Sequence, residues 1–146
     1  MDNVKVLWMS NKVLSDKDHG GTGTWLTAMA QALSNSGEVQ LANISHGPVA
    51  NLTRQDFGKI SQWIIPSDLT TRYEKKHASK QIVAELNGVV EAYTPDLIHV
   101  WGTEMFWGLL TARKLIQRPS LLEMQGMKWA IARVYAGGLT IQEQLS

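Results

Sequence analysis

The sequence predicts an α/β fold, a three-layer sandwich with helices on both faces of a mainly parallel sheet. Two observations predict it. Short runs of strand formers alternate with segments of helical apolar spacing along the whole chain, and such alternation implies βαβ units joined by right-handed crossovers. The chain has 146 residues, the size of one domain that buries roughly 68–70% of its unfolded surface.

The elements follow in order. Val4 to Met9 is an apolar run suited to a strand. Thr22 to Ser36 reads as a helix, with Trp25, Leu26, Met29, Ala30 and Leu33 at helical spacing. Thr22 or Thr24 is placed to cap its start, and Gly37 ends it. Val39 to Ser45 is the second strand, and Ser61 to Ile65 the third, stopped by Pro66. A long helix is expected from about Thr70 to Tyr93, with Pro95 preventing continuation. Leu97 to Trp101 is the fourth strand, Glu104 to Gln117 a helix, and Leu121 to Met124 the fifth strand. Lys128 to Tyr135 suits one more helix before Gly137-Gly138. Leu33, Ile82, Leu86, Val100 and Leu110 are core candidates. The economical arrangement is a Rossmann-like α/β/α sandwich.

Composition removes several function classes. Fourteen basic against thirteen acidic residues leave a net charge of +1, too little for a bulk electrostatic partner such as duplex DNA. Cysteine is absent, which excludes disulfides and thiolate metal sites. No apolar run approaches the ~18 residues of a membrane span, and the N-terminus lacks the marks of a signal peptide.

In an open parallel sheet, ligands bind beyond the carboxyl ends of the strands. The loop after the first strand, Ser10 to Gly21, is about a dozen residues long against the usual ~2–6. It ends in Gly20-Gly21-Thr22-Gly23 directly before a helix, where free N–H groups and the helix dipole favour an anion. Leu26 stands where a dinucleotide fingerprint needs its third glycine, and no Gly-Lys-Ser/Thr ending is present. After the fourth strand come Gly102-Thr103-Glu104, with His99 and Trp101 on one face by period two. Thr103 is placed to cap the next helix, and Glu104 suits its first turn. The fifth strand runs into Gln125-Gly126, a polar side chain beside a glycine that suits a sugar hydroxyl. Asp16, Asp18 and His19 lie in the first loop, while His46 and His77 read as surface residues. No His-Glu-x-x-His spacing and no Gly-x-Ser-x-Gly elbow occur.

Three segments carry a resemblance. Gly20-Gly21-Thr22-Gly23-Thr24-Trp25-Leu26, Pro95-Asp96-Leu97-Ile98-His99-Val100-Trp101-Gly102-Thr103-Glu104 and Ser120-Leu121-Leu122-Glu123-Met124-Gln125-Gly126 together resemble the N-terminal domain of a family 4 glycosyltransferase of the GT-B fold. The resemblance spans essentially the whole chain, residues 1–146. It implies two Rossmann-like lobes facing across a cleft, of which this chain is the acceptor-side lobe and the donor-binding lobe is absent. It implies hexosyl-type transfer from a nucleotide-sugar co-substrate to a saccharide or lipid-linked acceptor, with retention and without a metal or other cofactor. The backbone of Gly20, Gly21 and Thr22 would then hold the donor diphosphate, where fixed dipoles meet developing charge. His99, Trp101, Glu104, Gln125 and Gly126 would line the acceptor side.

Two departures matter. Several members carry a second histidine where this chain has Trp101, and a histidine where it has Gln125, so the identity of any acid or base stays open. A tryptophan here suits either stacking on a sugar or packing. The glutamate pair eight positions apart that marks the family's second lobe is missing from this chain, so the polypeptide alone is expected to be inactive. The expected location is cytoplasmic, extending to the inner membrane face through Lys128, Trp129, Arg133 and Tyr135; no nucleic-acid partner is expected. The alternatives are a stand-alone Rossmann-like binding module and another nucleotide-binding enzyme domain. A dehydrogenase would need an acid at the end of the second strand, which reads Asn43-Ile44-Ser45-His46.

Overall fold

The computed structural model describes residues 3–17, 24–67, 78–102 and 105–124. Their order is β1 (Val4–Met9), α1 (Thr24–Ser36), β2 (Val39–Gly47), β3 (Thr53–Arg54), β4 (Ser61–Pro66), α2 (Lys80–Tyr93), β5 (Leu97–Trp101), α3 (Trp107–Ala112) and β6 (Ser120–Glu123). They build a six-stranded sheet in the order β3-β4-β2-β1-β5-β6. All pairings are parallel except β3 with β4. This is the predicted α/β sandwich with a mainly parallel sheet.

Two cores cover the two faces. Leu7 and Met9 of β1, Ala42 and Ile44 of β2, and Ile98 and Val100 of β5 pack with Leu86, Val89, Val90 and Tyr93 of α2 and with Trp107 and Leu110 of α3. Trp8, Leu41 and Trp101 face the other way and pack with Leu26 and Ala30 of α1. The strict alternation follows from the pleat. Leu86, Val100 and Leu110 are buried as expected, whereas Leu33 and Ile82 are half-buried at the margins of their cores. No helix among the described residues is long and apolar enough to cross a membrane.

Several boundaries differ from the sequence reading. Of the helix expected over Thr70–Tyr93, α2 occupies Lys80–Tyr93, its start capped by the Ser79 side chain, which accepts a hydrogen bond from the Ile82 N–H; residues 70–77 lie outside the described residues. It ends at Thr94, left-handed at φ 51°, whose N–H donates to the Val90 carbonyl. The helix expected over Glu104–Gln117 is confined to Trp107–Ala112. Its N-cap position is Phe106, with no side-chain cap bond; the expected threonine cap, Thr103, and Glu104 lie outside the described residues. Lys114, at φ 55°, turns the chain out of the helix, and the Leu115 N–H reaches the Leu110 carbonyl. The two-residue β3, which turns back on β4 between β2 and β4, has no counterpart in the sequence reading. The expected helix at Lys128 lies outside the described residues.

Candidate functional site

The strand order creates a switch point. From β1 the chain moves outward through β2 to β4, then returns over the sheet through α2 and adds β5 on the opposite side of β1. Connections therefore diverge beyond the carboxyl ends of β1 and β5, and an open α/β sheet forms its ligand crevice at such a place.

Register lays out the floor of this edge on the α1 side. One row across the sheet is Gln62, Asn43, Trp8, His99 and Leu121. The next row toward the carboxyl edge pairs Ile64 with Ser45 and Trp101 with Glu123. Between them Ser10 continues β1, its N–H donating to the Ile44 carbonyl at 3.0 Å.

The half of the floor over β2 and β4 is polar. Ser10 Oγ donates to Asn43 Oδ1 at 2.9 Å, and Asn43 Nδ2 donates to Gln62 Oε1 at 3.0 Å. Gln62 Oε1 also accepts from the Leu14 N–H at 2.7 Å, while its Nε2 donates to the Leu14 carbonyl at 3.2 Å. Asn43 Nδ2 reaches the Lys12 carbonyl at 3.1 Å. Ser10, Asn43 and Gln62 are all buried. A buried amide stays inside only when its hydrogen bonds are made, so this network ties residues 10–14 of the first loop onto the sheet.

The half over β5 is aromatic. The His99 and Trp101 rings stack at 4.2 Å. Trp8 meets Trp101 edge-on at 5.1 Å and His99 at 6.2 Å. Trp25, at the start of α1, meets Trp101 edge-on at 5.3 Å. Trp8 and Trp101 are 1% and 6% exposed, but Trp25 is 44% exposed. His99 Nε2 stands 3.5 Å from Glu123 Oε2 without forming a hydrogen bond. Burial lowers the imidazole below its ordinary pKa of 6.5, against the opposing pull of the Glu123 carboxylate, so the ring is neutral at pH 7.

Among the described residues, four buried polar atoms have no hydrogen-bond partner: Thr27 Oγ1, Ser45 Oγ, His99 Nε2 and Trp101 Nε1. Thr27 lies in α1, whose Leu26 and Ala30 cover this side of the sheet. Ser45 and Trp101 belong to the outer row, and His99 to the next. Unsatisfied buried groups are rare enough that such a group calls for an explanation.

On the opposite face Trp107 Nε1 donates to Asn11 Oδ1 at 2.8 Å. The His46 ring lies parallel to Trp107 at 6.4 Å. His46 is half-buried rather than a surface residue, and burial lowers its pKa.

Of the predicted site residues, the structure brings His99 and Trp101 together. Gly20, Gly21, Thr22, Glu104, Gln125 and Gly126 lie outside the described residues, as do Asp18, His19 and His77. Among the described residues no group of acidic or histidine side chains is arranged to hold a metal. Sequence reasoning missed Ser10, Asn43, Gln62 and Glu123, and assigned Trp25 only to packing. The available signal was a polar amide in the middle of an apolar strand, as at Asn43 in Leu41-Ala42-Asn43-Ile44 and Gln62 in Gln62-Trp63-Ile64.

No known protein family and no curated protein matches the chain by sequence. Among solved structures it is similar to sucrose-phosphate synthase from Thermosynechococcus elongatus, with a TM-score of 0.61 and 15% identity. The match covers 97% of this chain and 37% of that one. At this identity the likeness is one of fold: the chain shares a Rossmann-like α/β fold with part of that protein and spans about a third of its length.

Proposed function

We propose that the chain is the acceptor-side lobe of a nucleotide-sugar-dependent glycosyltransferase of the family 4 type, acting with retention and without a metal. The observation that carries this reading is the carboxyl edge at the β1/β5 switch point. There, in a glycosyltransferase-like fold, a loop-anchoring amide network stands beside an aromatic floor with unsatisfied polar atoms. Such a mixture of apolar rings and a few polar groups is the lining of a small-molecule site. In this reading the Gly20, Gly21 and Thr22 amides stabilise the leaving diphosphate, and the network through Gln62 positions the loop that leads to them. His99, Glu104, Gln125 and Gly126 face the acceptor, with Trp101 as a packed support behind them. A second lobe binds the nucleotide, so the 146-residue chain binds sugars but does not turn over. Catalysis by an oriented encounter of donor and acceptor requires both lobes in place.

Ligand-observed NMR on the 146-residue chain tests this, with free sugars, nucleoside diphosphates and a nicotinamide dinucleotide as probes. The expected result is saturation of sugar protons and no dinucleotide binding. Tight dinucleotide binding without sugar binding overturns the reading in favour of another nucleotide-binding enzyme.

A further inference from the structure

Trp25 is the open member of an otherwise closed aromatic wall. Trp8, at 1% exposure, and Trp101, at 6%, are locked in the core, while Trp25 presents nearly half its surface to solvent at 44%. It stands in the first turn of α1, beside the switch-point edge and edge-on to Trp101 at 5.3 Å. Met29, one helical turn on, is 40% exposed, and Leu121, beside His99 in the sheet row, is 51% exposed. Within the same wall, Trp101 Nε1 lacks a hydrogen-bond partner, and His99 Nε2 faces the Glu123 carboxylate at 3.5 Å, which stands at the rim with a side chain 43% exposed.

We infer that Trp25 is a stacking platform for a neutral pyranose ring and sets which acceptor sugar this edge accepts. The inference rests on the glycosyltransferase reading and adds a residue and a substrate class to it. The physical argument is one of matching. An indole face carries the negative lobe of its quadrupole, and a pyranose with equatorial substituents turns a face of weakly positive C–H groups toward it. The same ring carries hydroxyls around its rim, which suit a carboxylate acceptor such as Glu123. An aliphatic protein surface would cover Trp25, Met29 and Leu121 but bring no donor to the Glu123 carboxylate at the rim. A phosphorylated sugar would set its charge against Glu123, with a neutral His99 offering no compensation. Trp101 Nε1 and His99 Nε2 are closed to solvent, so the polar contact open to a ligand at this edge is the Glu123 carboxylate.

The test uses the 146-residue chain with methyl glucopyranoside, a methyl furanoside and glucose 6-phosphate as probes, read by saturation transfer and by the indole N–H resonances. The pyranoside is expected to bind in preference to the other two, with saturation concentrated on the C–H protons of one ring face. Trp25→Ala is expected to weaken binding ~10-fold, about the size of one aromatic contact, while Trp25→Phe keeps it within ~3-fold. Glu123→Gln is expected to narrow the preference for the neutral ring over the phosphorylated one. Because Trp25 is largely outside the core, the dispersion of the remaining indole signals shows that Trp25→Ala has kept its fold. Pyranoside binding that is indifferent to Trp25→Ala overturns the platform and leaves the glycosyltransferase reading standing. Dinucleotide binding without sugar binding overturns that reading itself. A Trp25→Ala variant that loses self-association, with no sugar response in the parent chain, makes the patch a protein-docking surface and overturns the proposal.

Discussion

At the scale of single residues, the side chain with the most structural consequence is Gln62. It is 1% exposed and joins β4 to both backbone groups of Leu14 and to Asn43. Gln62→Met keeps the volume but leaves the Leu14 N–H and part of Asn43 without partners. Each orphaned group costs about 1–3 kcal/mol, so a loss of about 2–4 kcal/mol is expected in urea unfolding, together with faster amide exchange at Lys12 and Leu14. The half-buried histidines make a second residue-scale prediction. Burial lowers the pKa of both His46 and His99 from 6.5. Below that value the unfolded chain takes up protons that the folded chain resists, so stability is complete above pH 6.5 and is lost as pH falls toward the folded-state values. The urea midpoint should therefore drop between about pH 7.5 and about pH 5, and a His46→Gln/His99→Gln variant should show a flatter profile over that range. Asp56, held below its ordinary pKa of 3.8 by Arg54, changes charge only at lower pH and leaves this window clear.

At the scale of elements, the central strands were legible and the ends of helices were not. Val4–Met9 and Leu97–Trp101 stand where the apolar runs put them, because a strand buried on both faces is written as such a run. Helical periodicity carried α3 too far: Leu115 continues the pattern in sequence, yet it is 43% exposed because Lys114 has already turned left-handed. Polar segments carry no period at all, so the start of α2 was set by the Ser79 cap, which sequence spacing left unmarked. The site divided in the same way. His99 and Trp101 were readable from strand alternation, whereas the Asn43–Gln62 pair depends on a register between strands that no local pattern contains. Gly47 shows how tightly the end of β2 is built into this arrangement. A Cβ there would stand 2.8 Å from Ile64 Cγ2 and 3.3 Å from Val13 Cγ2. Gly47→Ala is thus expected to push β4 and the first loop apart at a cost of about 1–3 kcal/mol, measured as a lowered Tm with shifted indole signals from the site.

At the scale of the whole molecule, the sheet ends differently on its two sides. On one side the short β3 turns back on β4, and Arg54 carries its charge over Trp63 at 5.4 Å, devices that protect an edge. On the other side β6 ends the described sheet, and Leu121, Leu122 and Met124 are 51%, 42% and 58% exposed. Glu123 is the one charged residue of β6, turned toward His99, and a net charge of +1 supplies little repulsion between copies. An unpaired apolar strand is a template for pairing with another chain, so the 146-residue polypeptide should associate with itself through β6 as concentration rises. Leu122 sits on the α3 side, where its Cδ1 lies 3.4 Å from the position a Cβ of Gly108 would take, on the face of the strand opposite the Trp25 wall, and Met124 follows directly after the end of β6. A Leu122→Lys/Met124→Lys variant should weaken association ~10-fold in sedimentation velocity, with sugar binding kept, because charge on an edge strand opposes strand addition. Trp25→Ala should do the reverse, weakening sugar binding while leaving association intact. If both variants change the same property, the edge and the wall act as one surface, and the separation of strand pairing from ligand binding argued from their opposite faces is wrong.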